Sequence, residues 1–134
     1  MQDNQIPVPT DAELEILQVL WGKPGESVRY VSDTINARRP PEAQIGYTTT
    51  LKQMQVMLDK GLLLREVDGR NHLYTAAQSK EATQSVVVRD LSKLAFGGNA
   101  VSLAMRALGS GEGATPEELA EIKALIQRME DSNR

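Results

Sequence analysis

The pattern of apolar and polar positions is most informative between Gly46 and Tyr74. If this stretch begins as a helix with 100° per residue, one side collects apolar side chains and the other side collects mostly polar ones. The apolar side consists of Leu51, Met54, Met57 and Leu58. The opposite side consists of Thr49, Lys52, Gln53 and Val56. The pattern therefore predicts an amphipathic helix, with the threonines at its start suited to an N-cap.

The residues after this helix predict a β-hairpin. Gly61 is suited to end the helix in the left-handed conformation. Residues 62–67 then read as a strand, Asp68 and Gly69 as a tight turn, and residues 71–75 as the returning strand. A helix followed directly by a hairpin with Arg70 near its tip is typical of a winged helix.

Two further helices are predicted before this unit. Thr10 and Glu13 have the spacing of a capping box at the start of the first helix, which ends near Gly22. Ser27 is expected to cap a shorter second helix. The stretch 38–44 contains two consecutive prolines and is expected to be a loop, because proline interrupts a helix.

The C-terminal part predicts three more helices after a linker at residues 75–78. They are expected at 79–96, at 99–108 with Gly109 as the stop, and from Thr115 onward, where Glu118 completes a second capping box. Three helices in about 55 residues make a marginal core of their own, so we expect their apolar sides to pack against a second copy of the chain. The positions assigned to this contact are Val87, Leu91, Leu94, Val101, Leu103, Leu119, Ile122 and Ile126.

These elements predict a mostly α fold with a small antiparallel β-hairpin. The expected organisation is an N-terminal winged helix-turn-helix at residues 1–78, followed by a three-helix dimerisation segment at residues 79–134.

The composition argues against an enzyme or a metal protein. The chain has no cysteine and only one histidine, His72, which leaves too few ligands for a metal site. The glycines at 109–113 lie between predicted helices and lack the strand-turn-helix setting of a phosphate loop. We therefore expect no catalytic residues and no cofactor. The apolar runs are too short for a membrane span and the N-terminus lacks a signal-like pattern, so we expect a cytoplasmic protein.

The charge distribution is compatible with DNA binding. The formal net charge is −3, but residues 29–70 carry seven basic against five acidic side chains. Local charge matters for a phosphate backbone, because salt screens charges beyond about 8–10 Å. A winged helix that binds a protein partner is the alternative. DNA is favoured because the polar helix side offers hydrogen-bonding groups without a hydrophobic patch.

Several short motifs resemble the penicillinase-repressor family, the BlaI/MecI/CopY type. They are residues 10–17 followed by Leu20-Trp21, Val28-Arg29, Tyr47-Thr48-Thr49 with Lys60-Gly61-Leu62, Gly69-Arg70, His72-Leu73-Tyr74 and residues 96–99. The resemblance covers about residues 8–130. It implies a homodimeric repressor that binds a dyad DNA operator through the winged helix.

The resemblance also implies roles for individual residues. Base contacts are expected from Thr48, Thr49, Lys52, Gln53 and Val56, and phosphate contacts from Arg29, Tyr47, Lys60 and Arg70. Many relatives have a basic residue where this chain has Val56, and a valine there can contact a thymine methyl group. The cysteine-rich tail of the copper-responsive branch is missing.

Release from DNA is the last property that the resemblance implies. Some relatives are inactivated by a membrane-anchored peptidase that cuts within the second dimerisation helix. The corresponding helix here is the one predicted at 99–108, where Arg106-Ala107 replaces the Asn-Phe bond cut in those relatives.

Overall fold

The computed structural model describes residues 6–110 and 113–133 and is mostly helical, as predicted. The helices are α1 (Asp11–Gly22), α2 (Val28–Ala37), α3 (Tyr47–Lys60), α4 (Lys80–Ala95), α5 (Ala100–Ser110) and α6 (Pro116–Ser132). The strands β1 (Leu63–Asp68) and β2 (Asn71–Ala76) form one antiparallel hairpin. By its contacts the chain divides into two compact units, Met1–Gly98 and Asn99–Arg134.

The helix starts follow local capping signals. At α1 the Thr10 backbone N–H donates to Glu13 (2.9 Å), and the Glu13 N–H donates to the Thr10 hydroxyl (3.2 Å). The same reciprocal pair forms between Thr115 and Glu118 at α6. These two capping boxes were predicted from the residue spacing alone, and both are confirmed.

The core of the first unit lies where α1, α2, α3 and the base of the hairpin meet. Its buried apolar side chains are Ile16, Leu17, Val19, Leu20, Val28, Val31, Ile35, Met54, Met57, Leu62, Leu63 and Tyr74. Leu14, Leu51 and Leu58 pack partly buried against this cluster. Helices whose apolar stripes meet in this way form one small core, which fixes the orientation of α3.

Four features differ from the sequence predictions, and two of them are in the hairpin. The hairpin pairs Asp68 with Asn71, so the two-residue turn is Gly69-Arg70, one residue later than predicted. Gly69 has a φ of +64°, which suits the first turn position. The second strand extends to Ala76 and Ala77 N–H donates to Leu62 (2.9 Å), so the predicted linker is largely hydrogen-bonded structure.

The other two differences concern the α2–α3 connection and the end of α5. The predicted loop at 38–44 contains a short 3₁₀ turn at Pro41–Ala43. Gly109 does not end α5, which continues to Ser110. A glycine costs a helix only about 1 kcal/mol, so it weakens a helix without having to end it. The residues between the last two predicted helices, 110–114, lie partly outside the described residues.

The hairpin is also paired to the loop between α1 and α2. Tyr74 N–H donates to the Glu26 carbonyl (2.8 Å), and the Glu26 N–H donates back to Tyr74 (3.1 Å). No strand was predicted between the first two helices. Glu26 is in fact a third, one-residue strand partner that fixes the base of the wing against the helices.

Candidate DNA-binding surface

Helix α3 presents two different sides, as its periodicity predicted. Met54 and Met57 are fully buried, and Leu51 and Leu58 are partly buried. Thr48, Thr49, Lys52 and Val56 are exposed on the other side, and Gln53 is half-buried at its margin. The side that carries the predicted base-contacting residues therefore lies on the protein surface.

The start of α3 is exposed and has no side-chain cap. The helix begins at Tyr47, with Gly46 in the N-cap position, so the predicted threonine N-cap is wrong. Thr48 and Thr49 lie inside the first turn, and Thr50 is buried. The first backbone N–H groups of a helix have no partner within it and attract anions. No N-cap side chain accepts from them here, because the N-cap residue is Gly46.

The connection from α2 to α3 is held by polar side chains. The Asn36 amide donates to the Ile45 carbonyl (2.8 Å) and accepts from the Ile45 N–H (2.8 Å). The Gln44 amide donates to the carbonyls of Asn36 (2.8 Å) and Arg39 (3.1 Å). These bonds fix the loop directly before α3 and so set where the helix begins. The role of Asn36 was not predicted from the sequence, since its partner Ile45 lies nine residues away and no periodic pattern links the two.

Arg29 and Tyr47 lie together at the start of the α3 surface. The Arg29 guanidinium carbon lies 4.2 Å from the centre of the Tyr47 ring, within the range of a cation–π contact. Both side chains are exposed. Two residues predicted to contact phosphate, one on α2 and one on α3, are thus brought together next to the N-terminus of α3.

Lys60 occupies a different setting from the other predicted phosphate contacts. Its ammonium donates to Glu13 Oε2 (2.7 Å), and the Glu13 side chain is only 1% exposed. Burial acts to raise the pKa of Glu13, but the Lys60 hydrogen bond and charge and the Thr10 hydrogen bonds outweigh it and lower the pKa. Lys60 therefore joins the end of α3 to the start of α1, whereas its contact with phosphate stays a prediction.

The wing places Arg70 at its tip. Arg70 is the second residue of the hairpin turn and is exposed. The hydrogen-bonded base of the hairpin, including the Glu26 pair, orients this tip relative to α3. The exposed side of α3 also carries Asp59, which follows Lys52 by seven residues. Because a carboxylate repels phosphate, Asp59 makes the last turn of α3 less suited to DNA than the first three turns.

The predicted interface positions are mostly exposed in the single chain. In the first unit Leu94 is 77% exposed and Leu91 43% exposed, while Val87 is half-buried. In the second unit Val101, Leu119 and Ile126 are exposed. No described residue of the second unit is buried, and only Leu103 and Ile122 are half-buried. Helices α5 and α6 therefore bury almost nothing within one chain.

Neither a candidate metal site nor a candidate membrane span is found in the part of the chain that the structure describes. Residues 6–110 and 113–133 contain no group of three or more side chains suited to hold a metal ion. No described helix combines the length and the apolar character that a membrane span requires.

Comparison with known proteins identifies one family. The family described as "Penicillinase repressor" matches residues 9–128, which is most of the chain. No curated protein matches the chain. This match favours DNA over the alternative of a protein-binding winged helix.

Several solved structures are similar. A predicted DNA-binding transcriptional regulator from E. coli is 22% identical, with a TM-score of 0.47, over 65% of this chain and 80% of that one. The PcaV transcriptional regulator from Streptomyces coelicolor, in complex with its natural ligand, is 22% identical, with a TM-score of 0.46, over 95% and 78%. The transcriptional repressor CouR, bound to a 23-mer DNA duplex, is 16% identical, with a TM-score of 0.49, over 94% and 75%.

Proposed function

Since this chain belongs to the penicillinase repressor family of DNA-binding transcriptional repressors, we propose that it binds a two-fold symmetric operator as a homodimer. Each subunit inserts α3 into a major groove and lays its wing along the backbone. The observation that carries the proposal is the exposed side of α3, which offers Thr48, Thr49, Lys52 and Gln53 as hydrogen-bonding groups.

The division of labour follows from the position of each residue. Side chains in the middle of the exposed α3 side face base edges, whereas Arg29, Tyr47 and Arg70 lie at its start and on the wing, where the backbone passes. The uncapped N–H groups at the start of α3 add a further donor set for a phosphate. Backbone contacts supply most of the affinity and base contacts the sequence preference.

The homodimer rests on the apolar side chains of the C-terminal helices. α5 and α6 bury almost nothing in a single chain, and an isolated helix of 11 residues such as α5 is marginal in water. A second copy covers these side chains and places two α3 helices one DNA turn apart. We accordingly assign residues 1–78 to DNA binding and residues 79–134 to dimerisation.

The test of base reading is the double variant Lys52→Ala, Gln53→Ala. It should lose its preference for the operator over random DNA, by about 1–3 kcal/mol for each base contact removed. The matched control is Lys80→Ala, Gln84→Ala, which removes the same residue types, also exposed, from α4. Competition binding with specific and random duplexes measures both. An α3 variant that keeps the full preference would rule out this role for α3.

The test of dimerisation is the double variant Ile122→Asp, Ile126→Asp. Burying unpaired carboxylates should dissociate the dimer, and operator affinity should fall because the two half-sites are no longer linked. Ala124→Asp adds a carboxylate to the opposite side of α6 and serves as the control. Sedimentation of the three proteins decides, and a variant that remains dimeric would mean that dimerisation lies elsewhere.

Release from DNA by proteolysis is a separate part of the proposal. The peptidase expected from the family would cut α5, which follows two glycines of positive φ, Gly97 and Gly98. Cleavage there would remove α6 and with it the gain in affinity from dimerisation. If the chain stays full length in cells during induction of its target genes, release occurs by another route.

A further inference from the structure

We propose that Val56 determines operator sequence by contacting the 5-methyl group of a thymine in the major groove. The inference rests on the proposed function, because it assumes that α3 enters that groove. The inference goes further than the proposed function because it names the base that one residue recognises, thymine, and the chemical group that is recognised, the 5-methyl group.

The position of Val56 on α3 is the first argument. At 100° per residue it lies about 40° from Lys52 and about 60° from Gln53, in the middle of the exposed side. Its side chain is 41% exposed, whereas Met54 and Met57 are fully buried. Tyr47 is the other exposed large apolar residue of α3, and the Arg29 guanidinium lies over its ring. Val56 is therefore the apolar group that the middle of this side presents to a partner.

The chemistry of valine narrows what that partner group can be. Its side chain neither donates nor accepts hydrogen bonds, and it is too short to reach sideways to a phosphate. In the major groove, thymine alone among the four bases presents a methyl group, while the other base edges present donors and acceptors. A donor or acceptor covered by valine would lose its water without gaining a partner. Thymine is thus the one base that Val56 favours.

The position along the helix limits where the thymine can lie. Thr48 and Val56 are eight residues apart, which is about 12 Å of helix axis. This length corresponds to at most about three or four base-pair steps. The thymine is expected within that distance of the base pair that Thr48 contacts, once in each half-site.

The choice of valine is also unfavourable for the isolated helix. A β-branched side chain has a lower helix propensity than alanine, lysine or glutamine. Single exposed apolar residues are common on protein surfaces. Val56, however, lies among the proposed base-contacting residues. If its side chain contacted only solvent, a residue of higher helix propensity would suit the position better.

The experiment uses the full-length chain and a DNA site selected by that chain from a pool of random duplexes. A series of duplexes is made from the selected site. In each duplex one thymine position is replaced by deoxyuridine in both half-sites. This removes the methyl group and leaves every hydrogen-bonding group unchanged. Affinities of the parent and of Val56→Ala are measured for each duplex.

The expected result is that one thymine per half-site is sensitive to the exchange. The parent should lose about fourfold in affinity for each half-site, the amount expected for one methyl group returned to water. Val56→Ala should bind the two duplexes equally well at that position and should be weaker than the parent only on the thymine duplex. The control Val8→Ala changes an equally exposed valine outside α3 and should keep the full sensitivity of the parent.

Two results would overturn the inference. If the parent binds a selected site but no thymine shows a sensitivity that disappears in Val56→Ala, the methyl contact is wrong while sequence-specific binding stands. If the parent selects no sequence at all, the proposed DNA reading fails and this inference fails with it. A check of helicity is sufficient for the variant, because an exposed Val→Ala change in a helix does not destabilise it.

Discussion

The ion pair between Lys60 and Glu13 gives the sharpest prediction about the fold. Lys60→Met removes the ammonium that lies 2.7 Å from Glu13 Oε2 and leaves the aliphatic part of the side chain. Breaking a fully buried pair costs about 3–5 kcal/mol, whereas an exposed pair contributes less than about 1 kcal/mol. Glu13 is 1% exposed and Lys60 is 42% exposed, so the expected loss of stability is between these limits, about 1–3 kcal/mol.

The effect of this change depends on pH in a defined direction. The pKa of Glu13 in the folded chain is lowered from 4.5, so its carboxylate contributes stability at neutral pH that is lost as the pH falls through the folded pKa. Without Lys60, burial acts with less opposition and the pKa of Glu13 rises. The stability difference between parent and Lys60→Met should therefore be largest near pH 7 and should shrink as the pH falls through the lowered pKa of Glu13 in the parent, below which the carboxyl is protonated in both proteins.

Urea unfolding at equal protein concentration, at pH 7 and at a series of pH values descending into the acid range, measures this difference. Lys23→Met is the matched control, since Lys23 pairs with Glu26 at 3.2 Å and its side chain is 60% exposed. It should change stability by less than about 1 kcal/mol. Adding Glu13→Gln to Lys60→Met should recover part of the loss, because a neutral amide can still accept from Thr10. The reasoning is refuted if Lys60→Met costs no more than the control or if its cost is unchanged in acid.

Three other changes give predictions for single residues. Gly61→Ala should destabilise the chain by about 1 kcal/mol or more in urea unfolding, because Gly61 has a φ of +85°. Asn36→Ala should weaken DNA binding with an unchanged salt dependence, because it frees the Ile45 backbone before α3 without removing a charge; a changed salt slope would contradict this. Arg70→Ala should weaken binding to all sequences alike and lower the slope of log affinity against log salt by about one, because one cation no longer neutralises a phosphate; an effect confined to the operator would contradict it.

Most of the features predicted correctly from the sequence depend on neighbours within one or two helix turns. Thr10 with Glu13, Ser27, Ser79 and Thr115 with Glu118 were recognised as caps because the partner is three residues away. The two sides of α3 were recognised because their pattern repeats with the helix. Gly109 was misread because glycine only weakens a helix, and the threonine cap was misread because a helix can begin at an uncapped glycine.

The contacts that assemble the DNA-binding surface could not be predicted in this way. Lys60 and Glu13 are 47 residues apart, and the Trp21 indole N–H donates to the Gln78 carbonyl across 57 residues. Glu26 and Tyr74, which pair with each other, are also far apart in the sequence. The tertiary packing of the helices and strands determines which of these residues meet. The periodicity of the sequence does not show how the elements pack. The sequence thus identified the side of α3 that faces outward but not the bonds that hold α3, the loop before it and the wing in place.

The same contacts explain how a chain with a net charge of −3 can present a surface to DNA. Two of the acidic residues of α1 are engaged within the fold, since Glu13 accepts from Lys60 and Glu15 from the Arg39 guanidinium. The charges of these two carboxylates are therefore partly compensated by cations of the same fold. Arg29, Lys52 and Arg70 remain exposed around α3 and on the wing. Because salt screens charges beyond about 8–10 Å, a phosphate held at α3 experiences these nearby cations more strongly than the acidic side chains farther away. It is the position of the charged residues, and not their sum, that makes this surface suitable for DNA.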